Sequence, residues 1–347
     1  MKQGTGIVGS QFPFRWIVIA VLMIALVIMP FVVQKPSSIH ILIMIFYMGY
    51  LATAWGLVGQ GGQLSFGHAA FLGLGAYATG ILFRDFGITP WLGMWVGVAI
   101  ATIAGLIIGY PTLRLRGIYF ALATFAFALI LQVVIMHTWK LGPVTVGASP
   151  GLEITLRGNA PGVFQFATKT PYYFIALGML VSIVSLSYLF NRIRIGYYWI
   201  AMRGDLDAAE SLGINVGKYR LITFLISCAL TAIGGTFYTQ YFLFIDPTRV
   251  LDIGLSIEIV VVGIVGGWQT VFGPTIGALV IVPIGQLVRA QWGGTVPGLH
   301  LIIYGIILML FILFLPRGLN EPVSRGIRWL EAKLWRRAES GNDKLRR

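Results

Sequence analysis

The chain has 347 residues, 57% hydrophobic and 11% charged, with a formal net charge of +13. That balance excludes an ordinary soluble domain. It also excludes nucleic-acid binding, because the basic residues gather at alternate ends of apolar runs, as topology signals do, and not on a polar face. One cysteine, Cys228, leaves no disulfide and no cysteine metal site.

In chain order, Arg15 and Trp16 open an apolar run reaching about Val33, too long for a signal-peptide core and read as a retained span. A second run covers about Ile39–Val58. A Gly-rich break follows, GQGGQLSFGHAAFLGLGAY from Gly59 to Tyr77, and continues into a third span ending near Phe83. The fourth run, Trp91–Gly109, carries Gly93, Gly97, Ala101, Gly105 and Gly109 at intervals of four. Small residues so spaced line one helix face and admit a close neighbour. The fifth run spans about Ile118–His137 after the basic Leu113–Gly117. From 139 to 171 the chain is polar and rich in Gly and Pro, the longest loop.

A sixth run, Tyr172–Phe190, and a seventh, Leu221–Phe242, flank the charged segment 191–220. Within it, Arg203–Arg220 reads RGDLDAAESLGINVGKYR. Asp205 and Asp207 suit a helix N-terminus, Ala208, Ala209 and Glu210 favour helix, and Gly213 suits a C′ stop. This predicts a short polar hairpin held outside the membrane, with Arg192, Arg194, Lys218 and Arg220 around it. The stretch Ile253–Val288 is too long for one helix and is interrupted by GGWQTVFGP (Gly266–Pro274), so it divides into a short eighth and a ninth span. The tenth is about Gly298–Leu315. The expected architecture is therefore an all-α integral membrane protein of about ten transmembrane helices. The membrane unit covers residues 1–316. A basic tail covers 317–347, with Ile327, Leu330 and Leu334 on one side, suited to an anionic lipid surface.

Placing the N-terminus, the hairpin and the tail together puts most of the 25 Lys and Arg on one side, which the positive-inside rule makes the cytoplasm. The 139–171 loop then faces out. Both Gly-rich breaks fall at the cytoplasmic face, and, allowing one inserted residue, both read Gly-Gly, a polar pair ending in Ser/Thr, then Phe-Gly. Such matched breaks are what a duplicated transporter core leaves behind. A break frees backbone N–H and C=O groups at membrane depth, which is tolerable only inside protein or beside a polar cavity. Candidate pathway residues are therefore Gln63, Ser65, Gly67 and His68 in the first break, and Gly266 and Gly267 in the second. Glu258 joins them as the one acid placed well inside a span. No P-loop, metal-ligand cluster, nucleophile–base pair or selectivity-filter motif occurs, so catalysis within this chain is not expected.

Three segments carry a resemblance: Gly59–Tyr77, LRLRGIYFALATFAFA (Leu113–Ala128), and the hairpin with DAAESLG (Asp207–Gly213). Together with SIEIVVVGIVGG (Ser256–Gly267) they resemble the LivM-type permease subunits of branched-chain amino-acid ABC importers, over roughly residues 40 to 318. Asp207 stands where the family's E-A-A-x-x-x-G coupling loop has Glu. In the outer loop VTVGASPGL (Val144–Leu152) departs from the family's Thr-Gly-Gly type of sequence, which leaves the solute open. The resemblance implies that Arg203, Asp205, Asp207, Ala208, Ala209, Glu210 and Gly213 couple the permease to a pair of cytoplasmic ATPase subunits, which bind the ATP and magnesium this chain does not. It implies a LivH-type sister permease and a periplasmic solute-binding protein as further partners, in the bacterial inner membrane. Two rival readings stand beside it. One is a permease of the same superfamily for urea, short amides or another small solute; the other is a self-sufficient proton-coupled carrier using Glu258 and His68.

Overall fold

A computed structural model of the chain describes residues 12–321, apart from 34, 113–114, 116, 142–143, 148–149, 293–297 and 316–317. The basic tail from 322 onward, with Ile327, Leu330 and Leu334, lies outside the described residues, as do residues 1–11.

The centre of the fold is α2 (Pro36–Gln60), whose sequence is apolar on every side and which is buried at every position from Ile43 to Gln60. An all-round apolar helix belongs inside a bundle. Before it comes α1 (Phe12–Val32), and after it α3 (His68–Phe86), α4 (Pro90–Thr112) and α5 (Ile118–His137). On α4, apart from Pro90, the buried positions are Gly93, Gly97, Ala101, Gly105 and Gly109, the predicted stripe and nothing else. Lacking side chains beyond a methyl, this stripe lies against α3 and against α9 (Val216–Phe242); a Cβ on Gly105 would stand 2.9 Å from Cys228 Sγ. The large residues of α4, among them Trp95, Ile103 and Ile107, point outward as a lipid-facing surface does.

Helices α3 and α9 approach even more closely. A Cβ on Gly75 would overlap the Ala232 carbonyl, and one on Gly235 would overlap that of Leu72. Hydroxyls bind the pair where methylenes would not fit: Thr79 Oγ1 meets Thr236 Oγ1 at 2.8 Å, and Thr239 Oγ1 donates to Ala76 O at 3.1 Å. We expect Gly235→Val to cost at least the ~1–3 kcal/mol typical of overpacking, because the clash is with backbone. Loss of monodisperse protein after detergent extraction is the readout, and a normally folded Gly235→Val protein would refute this packing.

On the other side, α2 meets α6 (Lys169–Arg192), α11 (Ile253–Gly266) and α12 (Gly273–Trp292), with α13 (Leu299–Phe314) beyond these last two. The expected division at Gly266–Pro274 is present. Helix α11 has 14 residues, about 21 Å at 1.5 Å per residue, short of a full hydrocarbon thickness. Among the described residues six helices, α2, α4, α5, α6, α9 and α12, are long and apolar enough to cross a membrane.

Two features differ from expectation. The segment after α6 is not one short helix but two, α7 (Arg194–Gly204) and α8 (Leu206–Ser211). The 139–171 loop is more ordered than turn chemistry alone predicts. Strands β1 (Lys140–Leu141) and β2 (Val144–Thr145) pair with each other. Strand β3 (Leu152–Glu153) pairs with β4 (Phe244–Ile245), just past α9 and before the short α10 (Pro247–Val250). A 3-10 turn at Pro161–Val163 brings Phe164 under Trp91, ring centroids 4.7 Å apart and nearly parallel.

Candidate functional site

The charged hairpin is built by capping chemistry that its sequence spells out. Asp205 is the N-cap of α8, its Oδ1 accepting from the backbone N–H groups of Asp207 (2.8 Å) and Ala208 (3.1 Å). At the other end Gly213 N donates to Glu210 O (2.9 Å) and Ile214 N to Ala209 O (3.1 Å), the paired bonds of a Schellman stop. Gly213 has φ +82°, which such a stop requires. Asn215 then caps α9 through Lys218 N.

Of the predicted coupling residues, Arg203, Asp205, Asp207, Ala208, Glu210 and Gly213 are exposed, whereas Ala209 is buried. Ala209 packs with Leu57, Trp199, Met202 and Val216, so the hairpin is bolted to the end of α2 and does not swing free. Leu212, not singled out from sequence, is 80% exposed, the most exposed large hydrophobic among the described residues. The others with comparable exposure lie mostly on long apolar helices; Leu212 sits among charges.

Beneath the hairpin lies the first Gly-rich break, residues 61–67 between α2 and α3. Gln63 is 2% exposed; with its amide oxygen toward α9 it accepts from Arg220 Nη2 and Nε, both at 3.2 Å. Ser65 O accepts from Trp55 Nε1 at 2.8 Å, and Ser65 Oγ accepts from Gly67 N. A Cβ on Gly67 would meet Thr124 O, so α5 packs directly on this break. His68 opens α3, fully buried. Ser227 Oγ donates to Ala54 O (2.7 Å), so toward His68 Nε2 at 2.8 Å it acts as acceptor. The imidazole proton is therefore on Nε2, and Nδ1 has no partner among the described residues.

The second break, after α11, converges on the same end of α2. A Cβ on Gly59 would stand 2.6 Å from the Trp268 ring, and Trp268 O faces Gly56. Here the freed backbone groups find protein partners. Gly267, at φ +99°, donates back to Gly263 O and Ile264 O, and Leu319 N donates to Val265 O at 2.8 Å. Gly266 packs on Gly273, and Gly318 on Gly267, at distances only glycine allows.

Glu258 is 3% exposed and sits inside α11 as expected, but it is doubly engaged. Arg289 Nη2 of α12 donates to its Oε2, and Tyr304 OH of α13 donates to its Oε1 at 2.9 Å. The carboxylate thus ties three helices, and among the described residues it shares no hydrogen-bond partner with His68. No group of three His, Cys, Asp or Glu side chains able to hold a metal occurs among the described residues.

A cavity of about 290 Å³ lies between α2, α4, α6 and α9 under the Trp91–Phe164 stack, lined by Tyr50, Met94, Met179, Thr236 and Phe237 among others. Its polar groups are already engaged: Tyr50 OH donates to Leu230 O and Thr236 pairs with Thr79. Among the described residues no charged side chain lines it.

The family described as "Branched-chain amino acid transport system / permease component" matches residues 37–313. The chain is 27% identical over 339 residues to the high-affinity branched-chain amino acid transport system permease protein LivM of Escherichia coli, covering 91% of this chain and 77% of that protein. It is 26% identical over 282 residues to the probable branched-chain amino acid transport permease protein LivH of Methanocaldococcus jannaschii, covering 78% and 85%. A shorter likeness, 30% over 148 residues and 40% of this chain, links it to the ribose import permease protein RbsC of Haemophilus influenzae. No solved structure matches the chain.

Proposed function

This chain belongs to the branched-chain amino acid transport permease family, and from that premise we propose how its parts divide the work of an ATP-driven importer. It is a multi-pass membrane protein and the permease component of a branched-chain amino acid ABC transport system. In our reading the ten apolar helical segments, from α1 to α13 without α7, α8 and α10, all enter the membrane. The hairpin, both breaks and both termini lie on the cytoplasmic side of the inner membrane, and the 139–171 loop lies on the periplasmic side, where a solute-binding protein docks.

The hairpin is the docking element for a cytoplasmic ATPase, and the observation that carries this is Leu212. An apolar side chain 80% exposed on a rigid, charged hairpin is placed for a socket on another protein. Asp207 and Glu210 stand exposed beside it and set the orientation of docking. The ATP and magnesium belong to that partner. The cavity under Trp91 offers no charge to an α-ammonium or α-carboxylate, which supports a pathway completed by a second, LivH-type permease. Of the pathway candidates, His68 retains an unspent polar atom and is the one we keep as lining; Gly67, Gly266 and Gly267 are packed backbone, the Ser65 hydroxyl is engaged by Gly67 N, and Gln63 and Glu258 are paired.

The test is ATP-driven leucine uptake by the reconstituted complex, with urea, short amides and ribose as competitors. Leucine uptake inhibited by isoleucine and valine is the expected result; stimulation of hydrolysis by another solute class alone would overturn the solute. Leu212→Asp should weaken ATPase co-purification by about tenfold or more, since an anchor residue is worth ~2 kcal/mol. The thermal midpoint of the permease should not change, because the side chain is in solvent.

A further inference from the structure

Four consecutive residues at the joint between α2 and α3 are each held by the hairpin or its flanking helix ends. Gln60 Oε1 accepts from Asn191 Nδ2 at the end of α6, at 3.0 Å. Gly61 lies on Thr223 of α9, a Cβ there standing 3.3 Å from Thr223 Cγ2. Thr223 Oγ1 in turn accepts from Trp199 Nε1 of α7 at 2.6 Å. Gly62, at φ +78°, lies against the backbone of Met202 and Arg203, a Cβ there standing 3.4 Å from Met202 O. Gln63 accepts from both Nη2 and Nε of Arg220, the last residue of the hairpin segment, and Arg220 Nη2 also reaches Leu115 O.

This arrangement is selective. The joint has no side chain at Gly61 or Gly62, so the hairpin backbone and Thr223 rest directly on the α2–α3 backbone. On either side of that glycine pair an amide side chain, Gln60 or Gln63, is hydrogen-bonded to a different flank of the hairpin. Beyond the joint the chain runs straight into His68 and α3, whose glycine face is locked to α9. A load on the hairpin therefore reaches α3 through the joint, without passing through the outward-facing parts of α4 or α5.

We propose that residues Gln60–Gln63 are the receiver of the ATPase stroke, and that the Gln63–Arg220 pair is a positioning contact converting hairpin movement into rotation of α3. Gln63 acts here as a transmission residue and not as a ligand for the solute. The inference rests on the hairpin being the ATPase docking element.

The experiment uses the full importer complex in proteoliposomes, with ATP hydrolysis and leucine uptake recorded on the same sample. For Gln63→Ala, ATPase binding and basal hydrolysis should stay within about twofold of wild type. Solute moved per ATP should fall about tenfold, within the usual range of coupling energies between sites. Gln63→Glu, which keeps an acceptor facing Arg220, should restore most of the ratio. As a second variant, Gln60→Cys with Asn191→Cys, bridged through two disulfides by a short bis-methanethiosulfonate reagent (methanesulfinate leaving), should stop uptake without releasing the ATPase, and reduction with a thiol should restore it. Bound ATPase with an unchanged ratio in Gln63→Ala, or full uptake in the bridged protein, overturns the inference alone. Loss of leucine affinity at constant coupling in Gln63→Ala would make Gln63 a solute ligand and overturn it too. An ATPase that stays bound when the hairpin is disrupted by Leu212→Asp overturns the docking reading, and the inference falls with it.

Discussion

Arg289→Ala should destabilise the protein by about 3–5 kcal/mol, the usual cost of leaving a buried ion without its partner. The asymmetry within the pair sharpens the expectation. Arg289 has a side chain 36% exposed, whereas that of Glu258 is 5% exposed. Removing glutamate leaves a guanidinium that can turn to headgroups or water; removing arginine leaves a carboxylate held, among the described residues, by the Tyr304 hydroxyl alone. Glu258→Gln should therefore cost less than Arg289→Ala, and the double variant Glu258→Leu with Arg289→Met should recover much of the loss. The measurement is the unfolding midpoint in a denaturing-detergent titration. An Arg289→Ala protein within about 1 kcal/mol of wild type would show the pair to be no more than a surface contact. The same series bears on the proton-coupled carrier: were Glu258 a proton carrier, Glu258→Gln would fold normally and lose uptake. We expect folded Glu258→Gln protein to retain ATP-driven uptake.

The second large effect is expected at Gly213. A side chain there meets nothing within 4 Å, so any defect comes from the backbone and not from crowding. At φ +82° a β-branched residue is a genuine outlier, with a cost of about 1–2 kcal/mol or more for the left-handed conformation, whereas asparagine tolerates it. Gly213→Val should unwind the stop that aims Leu212 and abolish leucine uptake, while membrane insertion and detergent stability stay near wild type. Gly213→Asn should keep most of the activity. Normal uptake by Gly213→Val would end the coupling role of the hairpin; equal loss in both variants would point to bulk at the partner's surface as the cause.

Much of this was legible locally. The α4 stripe could be read from five small residues four apart, because in a bilayer the helix face that packs is the face without side chains. Asp205, Gly213 and the division at Gly266–Pro274 were readable for a similar reason: caps and stops are satisfied by the residues beside them. What escaped reading depends on partners far along the chain. Helix α7 was hidden because Trp199 and Met202 are apolar for the sake of Leu57 and Val216, and nothing nearby in sequence says so. Glu258 looked like an unpaired buried charge because its partners lie 31 and 46 residues away. The sequence left the breaks either beside a polar cavity or inside protein; in the second the carbonyl of Val265 is met by the amide of Leu319, a residue with no motif to announce it. Gln63 and Ser65 were placed correctly in a break and buried there, but the groups around them are those of the hairpin and α2.

The one thiol of the chain has a practical bearing. Cys228 lies fully buried in α9 with Gly105 of α4 across from it, sealed from both faces of the bundle. Maleimide reagents should leave the native protein untouched until it unfolds. Spectroscopic labels can then be introduced at Leu212, at Trp91 or on the rim of the outer loop without first replacing Cys228. The same thiol becomes an internal clock for the α4–α9 seam, its modification rate in mild denaturant timing the moment those two helices part.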